Sequence, residues 1–200
     1  GRHGSRRDGD ELSGARCYRS RMNPAVNLVL VGPMGAGKTS IGKRLAERFG
    51  LTFIDLDHAI EAATGVRVAD IFEREGEAGF REREARQLGI ELQGEDRLVA
   101  TGGGAVLRDE SRALMRERGY VLYLAVSVEE QLKRLANDRA RPLLQRPDRE
   151  DALRAMAAAR APLYDAVADL HFDSSGLTPS QACETLIPQL RDRWLRARAA

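Results

Sequence analysis

The stretch Gly32-Pro33-Met34-Gly35-Ala36-Gly37-Lys38-Thr39 fits G-x-x-x-x-G-K-[ST], the phosphate-binding loop. The motif means little without a strand before it and a helix after it. Asn27-Leu28-Val29-Leu30-Val31 precedes it and reads as a short buried strand. From Ser40 to Phe49, Ile41, Leu45, Ala46 and Phe49 share one helical face, and Gly50 supplies the stop. Glycines let the backbone N–H groups turn toward a polyphosphate, and the helix N-terminus adds partial positive charge. In that context Lys38 reaches the β- and γ-phosphates and the Thr39 hydroxyl is a Mg²⁺ ligand.

Working outward, hydrophobic strands alternate with helical patterns. Leu51–Ile54 reads as a second strand ending at Asp55, Leu98–Thr101 as a third, Tyr120–Val126 as a fourth and Asp169–Phe172 as a fifth. Residues 56–92 read as three short helices punctuated by Gly65 and Gly76. Further helices are expected at about 111–118, at 128–135 with Ser127 as its cap, at 151–167, and at 178–198 with Pro179 in the first turn. Alternation of this kind predicts an α/β fold: a central five-stranded parallel sheet with helices on both faces, three layers in all. Loops at the carboxyl ends of such strands gather in one crevice. The phosphate-binding loop, the Asp55 loop and Gly102-Gly103-Gly104 are therefore expected to meet.

Composition narrows the function classes. Two hundred residues with 42% hydrophobic and 31% charged side chains describe one globular domain with a heavily charged surface. No apolar run reaches membrane-spanning length, and a net charge of +2 gives no argument for nucleic acid or an anionic membrane. Residues 1–21 hold six arginines against Asp8, Asp10 and Glu11, and residues 1–24 lack periodicity, so a disordered basic tail is expected ahead of a domain at 25–200. Met22 reads as a start of the folded chain, with the tail as a start-site extension. Cys17 and Cys183 have neither metal-ligand nor disulfide-framework spacing, which fits a reducing cytosol.

Several residues outside the phosphate loop carry chemistry. Asp55-Leu56-Asp57 closes the second strand with two carboxylates that can divide metal binding from orientation of an attacking hydroxyl. Leu98–Thr101 lacks an acidic residue, which leaves Asp55 as the metal-side candidate. The triple glycine allows a ligand to approach the backbone closely. Arg81, Arg134, Arg141 and Arg160 can bind carboxylate or phosphate in bidentate fashion, or stack on flat rings. Asn137–Glu150, polar and basic with two prolines, reads as a mobile loop or lid.

From about Asn27 to the last helix, the chain resembles the shikimate kinases, within the nucleoside-monophosphate-kinase-like group of P-loop proteins. The resemblance rests on Gly-Pro-Met-Gly-Ala-Gly-Lys-Thr-Ser-Ile-Gly (32–42), Phe-Ile-Asp-Leu-Asp (53–57), Ile-Phe-Glu-Arg-Glu-Gly-Glu-Ala-Gly-Phe-Arg-Glu-Arg-Glu (71–84), Ala-Thr-Gly-Gly-Gly-Ala-Val (100–106), Arg-Pro-Leu-Leu (141–144) and Arg-Ala-Pro-Leu-Tyr (160–164). It implies ATP-dependent phosphorylation of the 3-hydroxyl of shikimate, with Mg²⁺, as a step toward chorismate and the aromatic amino acids. It implies nucleotide contacts at Gly35, Ala36, Gly37, Lys38, Thr39, Ser40, Arg134 (stacked on adenine) and Arg141 (on the lid, touching the transferring phosphoryl group). It implies Mg²⁺ at Thr39 and, through water, at Asp55. For shikimate it implies Asp57 on the reacting hydroxyl, Arg81 and Arg160 on the carboxylate, and Gly103 and Gly104 against the ring, with Glu84 supporting Arg81. The catalytic set is then Lys38, Asp57 and Arg141. Substrate-binding helices would span 56–92 and the lid 137–150. The expected setting is a cytoplasmic monomer with shikimate and ATP as partners and neither nucleic acid nor membrane. A gluconate-type sugar-acid kinase, a nucleoside-monophosphate kinase, and a nucleotide switch or nucleic-acid module using the basic tail are the competing readings.

Overall fold

The computed structural model describes residues 25–138 and 142–195. The tail, Cys17, Arg139 and Arg141 lie outside the described residues. The strands are β1 Asn27–Val31, β2 Thr52–Asp55, β3 Arg97–Ala100, β4 Gly119–Ala125 and β5 Leu170–Asp173. They form one parallel sheet in the order β2-β3-β1-β4-β5. The helices are α1 Lys38–Phe49, α2 Leu56–Thr64, α3 Val68–Gln93, α4 Asp109–Arg118, α5 Val128–Arg134, α6 Arg149–Val167 and α7 Pro179–Leu190.

β1 is central and buried along its whole length, as a strand covered on both faces must be. Its alternation sorts the core into two layers. Leu28 and Leu30, with Leu98, Leu122 and Leu124, face α1 and α7; Val29 and Val31, with Val99 and Val121, face α2, α3, α4 and α6. Each fully buried leucine in these layers stabilises the fold by roughly 1.5–3 kcal/mol. The expected three-layer arrangement is what the chain adopts.

Three local details shape the site. The first is Gly32, which has φ +143°; a Cβ there would collide with the Leu124 carbonyl oxygen. Only glycine lets the chain leave β1 this close to β4. The second is a break in α3 at Gly76, with φ 71° and ψ −175°. In a straight helix, residues eight apart stand about 12 Å from one another. Instead the Phe72 and Phe80 rings stack at 4.4 Å, and Arg83 forms a two-bond ion pair with Glu75 at 2.7 and 2.8 Å. The break therefore folds the start of α3 back on its continuation, so the expectation of three helical pieces holds. The third is the region expected to be a mobile loop. Where it is described, it has regular structure: Pro142–Gln145 forms a 3-10 turn, and α6 begins at Arg149. Leu144 is buried against Val128 and Leu153, an apolar anchor inside a sequence dominated by arginine and proline.

The last helix also departs from expectation. α7 starts on a full capping box between Thr178 and Gln181, with Pro179 in the first turn. It ends at Leu190 rather than running on, and Arg191–Leu195 continues as a wider π turn. Pro188 has no N–H to give the ladder. The wider turn delivers Trp194 into the core, where its indole N–H donates to Ala25 O at 3.0 Å and its ring meets Phe49 edge-on. Cys183 is buried as a free thiol.

Candidate active site

The phosphate loop is held by its carbonyls. Lys38 Nζ donates to Gly32 O and Pro33 O at 2.7 and 2.8 Å. Gln131 Nε2 donates to Met34 O at 2.8 Å, Arg134 Nη1 to Gly35 O at 2.9 Å, and Ser174 Oγ to Ala36 O at 2.9 Å. Three consecutive carbonyls, 34 to 36, are thus engaged from outside the loop, and those of 32 and 33 by the loop's own lysine. A peptide N–H points opposite to its C=O, so holding the carbonyls of 34 to 36 from outside turns the amides that follow them toward the loop interior, as anion binding requires. The braces come from α5 and from the segment after β5. Gln131 and Ser174 were not singled out by sequence. Both had a signal: Gln131 interrupts the apolar stripe of Val128, Leu132 and Leu135, and Ser174 continues the inward period of Leu170 and Phe172. At 2% and 1% exposure they are buried polar groups with partners.

Arg134 uses every edge of its guanidinium. Nε donates to Glu130 Oε1, Nη1 to Gly35 O and Ser174 Oγ, and Nη2 to Ser174 O and Leu177 O. The plane is fixed and only its two faces remain for a ring to stack on. Gly37, in the left-handed region at φ 92°, caps α1. Thr39 and Ser40 open that helix at the surface.

Thr39 Oγ1 donates to Asp55 Oδ2 at 3.0 Å, joining the phosphate loop to the end of β2. The other Asp55 oxygen caps α2 by accepting from His58 N. Asp57 lies in the first turn of α2 and points to the triple glycine. A Cβ on Gly102 would stand 2.7 Å from Glu84 Oε1 and 3.5 Å from Asp57 Oδ1. One on Gly103 would stand 3.5 Å from Arg160 Nη1, 3.6 Å from the Tyr164 hydroxyl and 3.6 Å from Gly32 O. One on Gly104 would fall within 2.6 Å of three guanidinium atoms of Arg81. The glycines are therefore the floor of a polar cradle walled by Asp57, Glu84, Arg81 and Arg160, and the phosphate loop begins at its rim. The three expected loops do meet.

Burial sets the electrostatics. Arg81 Nη1 donates to Glu84 Oε2 at 2.7 Å and Nη2 to Glu77 Oε1 at 3.2 Å, with the Phe80 ring 5.2 Å from its guanidinium carbon. Glu84 is 2% exposed, and its Oε1 accepts no hydrogen bond among the described residues. Burial pushes the Glu84 carboxyl above the usual range, Arg81 and Arg160 pull it down, and the Asp57 charge raises it again. Tyr164 is buried on α6 and donates to Gly103 O at 2.5 Å. Burial pushes its hydroxyl up to about 12, opposed chiefly by the Arg160 guanidinium beside it.

Comparison with known proteins decides the family. The shikimate kinase family model matches residues 34–191. The chain belongs to the shikimate kinase family. It is 55% identical over 175 residues to a shikimate kinase of Stenotrophomonas maltophilia strain R551-3, covering 88% of this chain and 97% of that one. It is 56% identical over 173 residues to one from Xanthomonas campestris pv. campestris strain 8004, covering 86% and 96%. Among solved structures, the shikimate kinase of Acinetobacter baumannii in complex with shikimate superposes with a TM-score of 0.80 at 40% identity, covering 86% of this chain and 96% of that one. A sugar kinase from Janibacter sp. HTCC2649 superposes at 0.57 with 17% identity, a likeness of fold alone. The family's kinases are thus similar to this chain over nearly their whole length.

Proposed function

We propose that this shikimate kinase family member transfers the γ-phosphate of ATP to the 3-hydroxyl of shikimate, giving shikimate 3-phosphate and ADP. The observation that carries the reading is the cradle over Gly102–Gly104. Two guanidinium groups and two carboxylates line it, and its rim is Gly32, the first residue of the phosphate loop. A small hydroxy acid fits that chemistry: guanidinium groups take the carboxylate, a carboxylate takes a hydroxyl, and the glycine floor lets the ring lie flat.

The roles follow from this placement. Arg81, against Gly104, and Arg160, against Gly103, clamp the acid over the glycine floor. Asp57 accepts a hydrogen bond from the attacking hydroxyl and orients it in line with the γ-phosphorus. Glu84 holds Arg81 in place. Lys38, already poised over the loop mouth on Gly32 O and Pro33 O, draws toward the β- and γ-phosphates, while the amides of residues 35–40 cradle them. Arg134 offers a face to adenine. Arg141, outside the described residues, is assigned to the phosphoryl group on the resemblance alone.

Thr39 and Asp55 offer hard oxygen donors 3.0 Å apart. These suit Mg²⁺, which keeps much of its water and shares phosphate oxygens rather than filling an all-protein cage. When bound, Mg²⁺ neutralises charge building on the transferring group. As part of the same reading, we take the enzyme to be a cytoplasmic monomer with shikimate and ATP as its partners. The test is ADP release in a coupled assay, with shikimate, gluconate, AMP or CMP as acceptor. Stimulation by shikimate alone is expected. Stimulation by another acceptor, or none by shikimate, overturns the reading.

A further inference from the structure

We propose that Tyr164 is a positioning residue for the acid substrate: its hydroxyl ties the Arg160 guanidinium to the Gly103 backbone, so that the clamp and the floor of the cradle move as one. The inference rests on the shikimate reading above.

Arg160 and Tyr164 stand four residues apart on α6, so they share one helical face. Both lie against Gly103. A Cβ on Gly103 would stand 3.5 Å from Arg160 Nη1 and 3.6 Å from the Tyr164 oxygen. The Tyr164 hydroxyl spends its proton on Gly103 O, at 2.5 Å. That leaves its lone pairs free to accept from the Arg160 guanidinium, which has donors and no acceptors and whose charge and hydrogen bond oppose the effect of burial on this hydroxyl. The ring behind it cannot swing. Tyr164 is 2% exposed and stacks on Tyr123 of β4, with centroids 4.9 Å apart and planes at 28°. The hydroxyl is thus anchored to the central sheet. Arg160 itself is only half-buried, and a long side chain with several rotamers binds less well for each one it samples. A buried oxygen that removes those alternatives raises affinity without touching substrate.

Tyr164→Phe removes one oxygen and keeps the stacked ring. The dissociation constants for shikimate and ADP are measured by calorimetry in the parent, in Tyr164→Phe, in Arg160→Lys and in the double variant, with thermal unfolding recorded for each. The expected result is a shikimate constant about 5- to 20-fold weaker in Tyr164→Phe, an ADP constant within about twofold, and less than about a twofold further change when Tyr164→Phe is added to Arg160→Lys. Tyr123→Phe, which keeps the stack, should leave the shikimate constant within about twofold. A role in packing alone would lower thermal stability and weaken both ligands together. That pattern, an unchanged shikimate constant, or full additivity with Arg160→Lys overturns the proposal. Shikimate-stimulated turnover of the parent is measured in the same series. Failure of the functional reading thus shows in the parent, and failure of this inference shows in the ratio of variant to parent.

Discussion

Adding one methyl group at Gly104 should cost the enzyme its acid substrate while leaving the backbone in place. Gly104 has φ −98° and ψ 2°, the bridge region that residue i+2 of a type I turn adopts, so Gly104→Ala needs no left-handed backbone. The difficulty is the side chain opposite. The new Cβ would fall within 2.6 Å of Nη1, Nη2 and Cζ of Arg81, where uncrowded contact needs about 3.5–4 Å. The guanidinium is the end of a long chain and must retreat by roughly 1.5 Å to reach that contact. That retreat stretches the 2.7 Å bond to Glu84 beyond useful range. A charge-assisted hydrogen bond contributes roughly 1.5–3 kcal/mol. If Arg81 loses its seat, we expect the shikimate dissociation constant to rise by about 10- to 150-fold. For a chain of this size the midpoint of thermal unfolding should fall by roughly 3–12 °C. Calorimetric titration and differential scanning calorimetry read both numbers. Gly103→Ala is the internal control, because its Cβ would meet Arg160, Tyr164 and Gly32 O at 3.5–3.6 Å, ordinary contact; its stability should stay within about 0.5 kcal/mol of the parent. Parental shikimate affinity in Gly104→Ala would refute the seat assigned to Arg81.

Three other expectations follow from the same geometry. Glu84 has a folded-state pKa raised above its ordinary value of 4.5, chiefly by burial. Between the unfolded and folded values the native state holds more protons, so its contribution is full below about 4.5 and is lost as pH rises through the folded value. The stability of the parent relative to Glu84→Gln, from urea titrations between about pH 4 and 8, should shrink across that window; a gap that widens with pH would reverse the sign and the argument. Arg160→Lys replaces a fork by a point charge and should raise the shikimate constant by about tenfold or more, with ADP within about twofold; equal shifts would count against a carboxylate clamp. Ser174→Ala leaves Ala36 O without its hydroxyl brace, whereas Ala125 O keeps the Ser174 N–H, and should raise the KM for ATP by about 5- to 30-fold while sparing shikimate. A selective loss of shikimate instead would remove Ser174 from the phosphate-loop scaffold.

Local patterns in the sequence determined the layers of this protein and most of its chemistry. Strand and helix periods are set by neighbours a few residues away, so β1, the phosphate loop and α1 were legible from residues 27–50 alone, and parallel order followed from alternation. The glycines at 76 and 102–104 marked breaks and close approaches because only glycine lacks the Cβ that would forbid them. What sequence could not supply was which distant groups share a few ångströms. Gln131 and Ser174 meet the loop across 97 and 138 residues; their periods marked them as facing inward, but nothing in the pattern said which carbonyl each would meet. The same holds for Glu84 beside Asp57 and for Tyr164 on Gly103. The π turn that seats Trp194 was hidden for a related reason, since helix width there answers to the pocket the indole must fill. Pattern decides what a segment becomes; the pKa of a carboxylate, the aim of a guanidinium and the facing of a peptide are set by whatever packs against them, and only the folded chain brings that together.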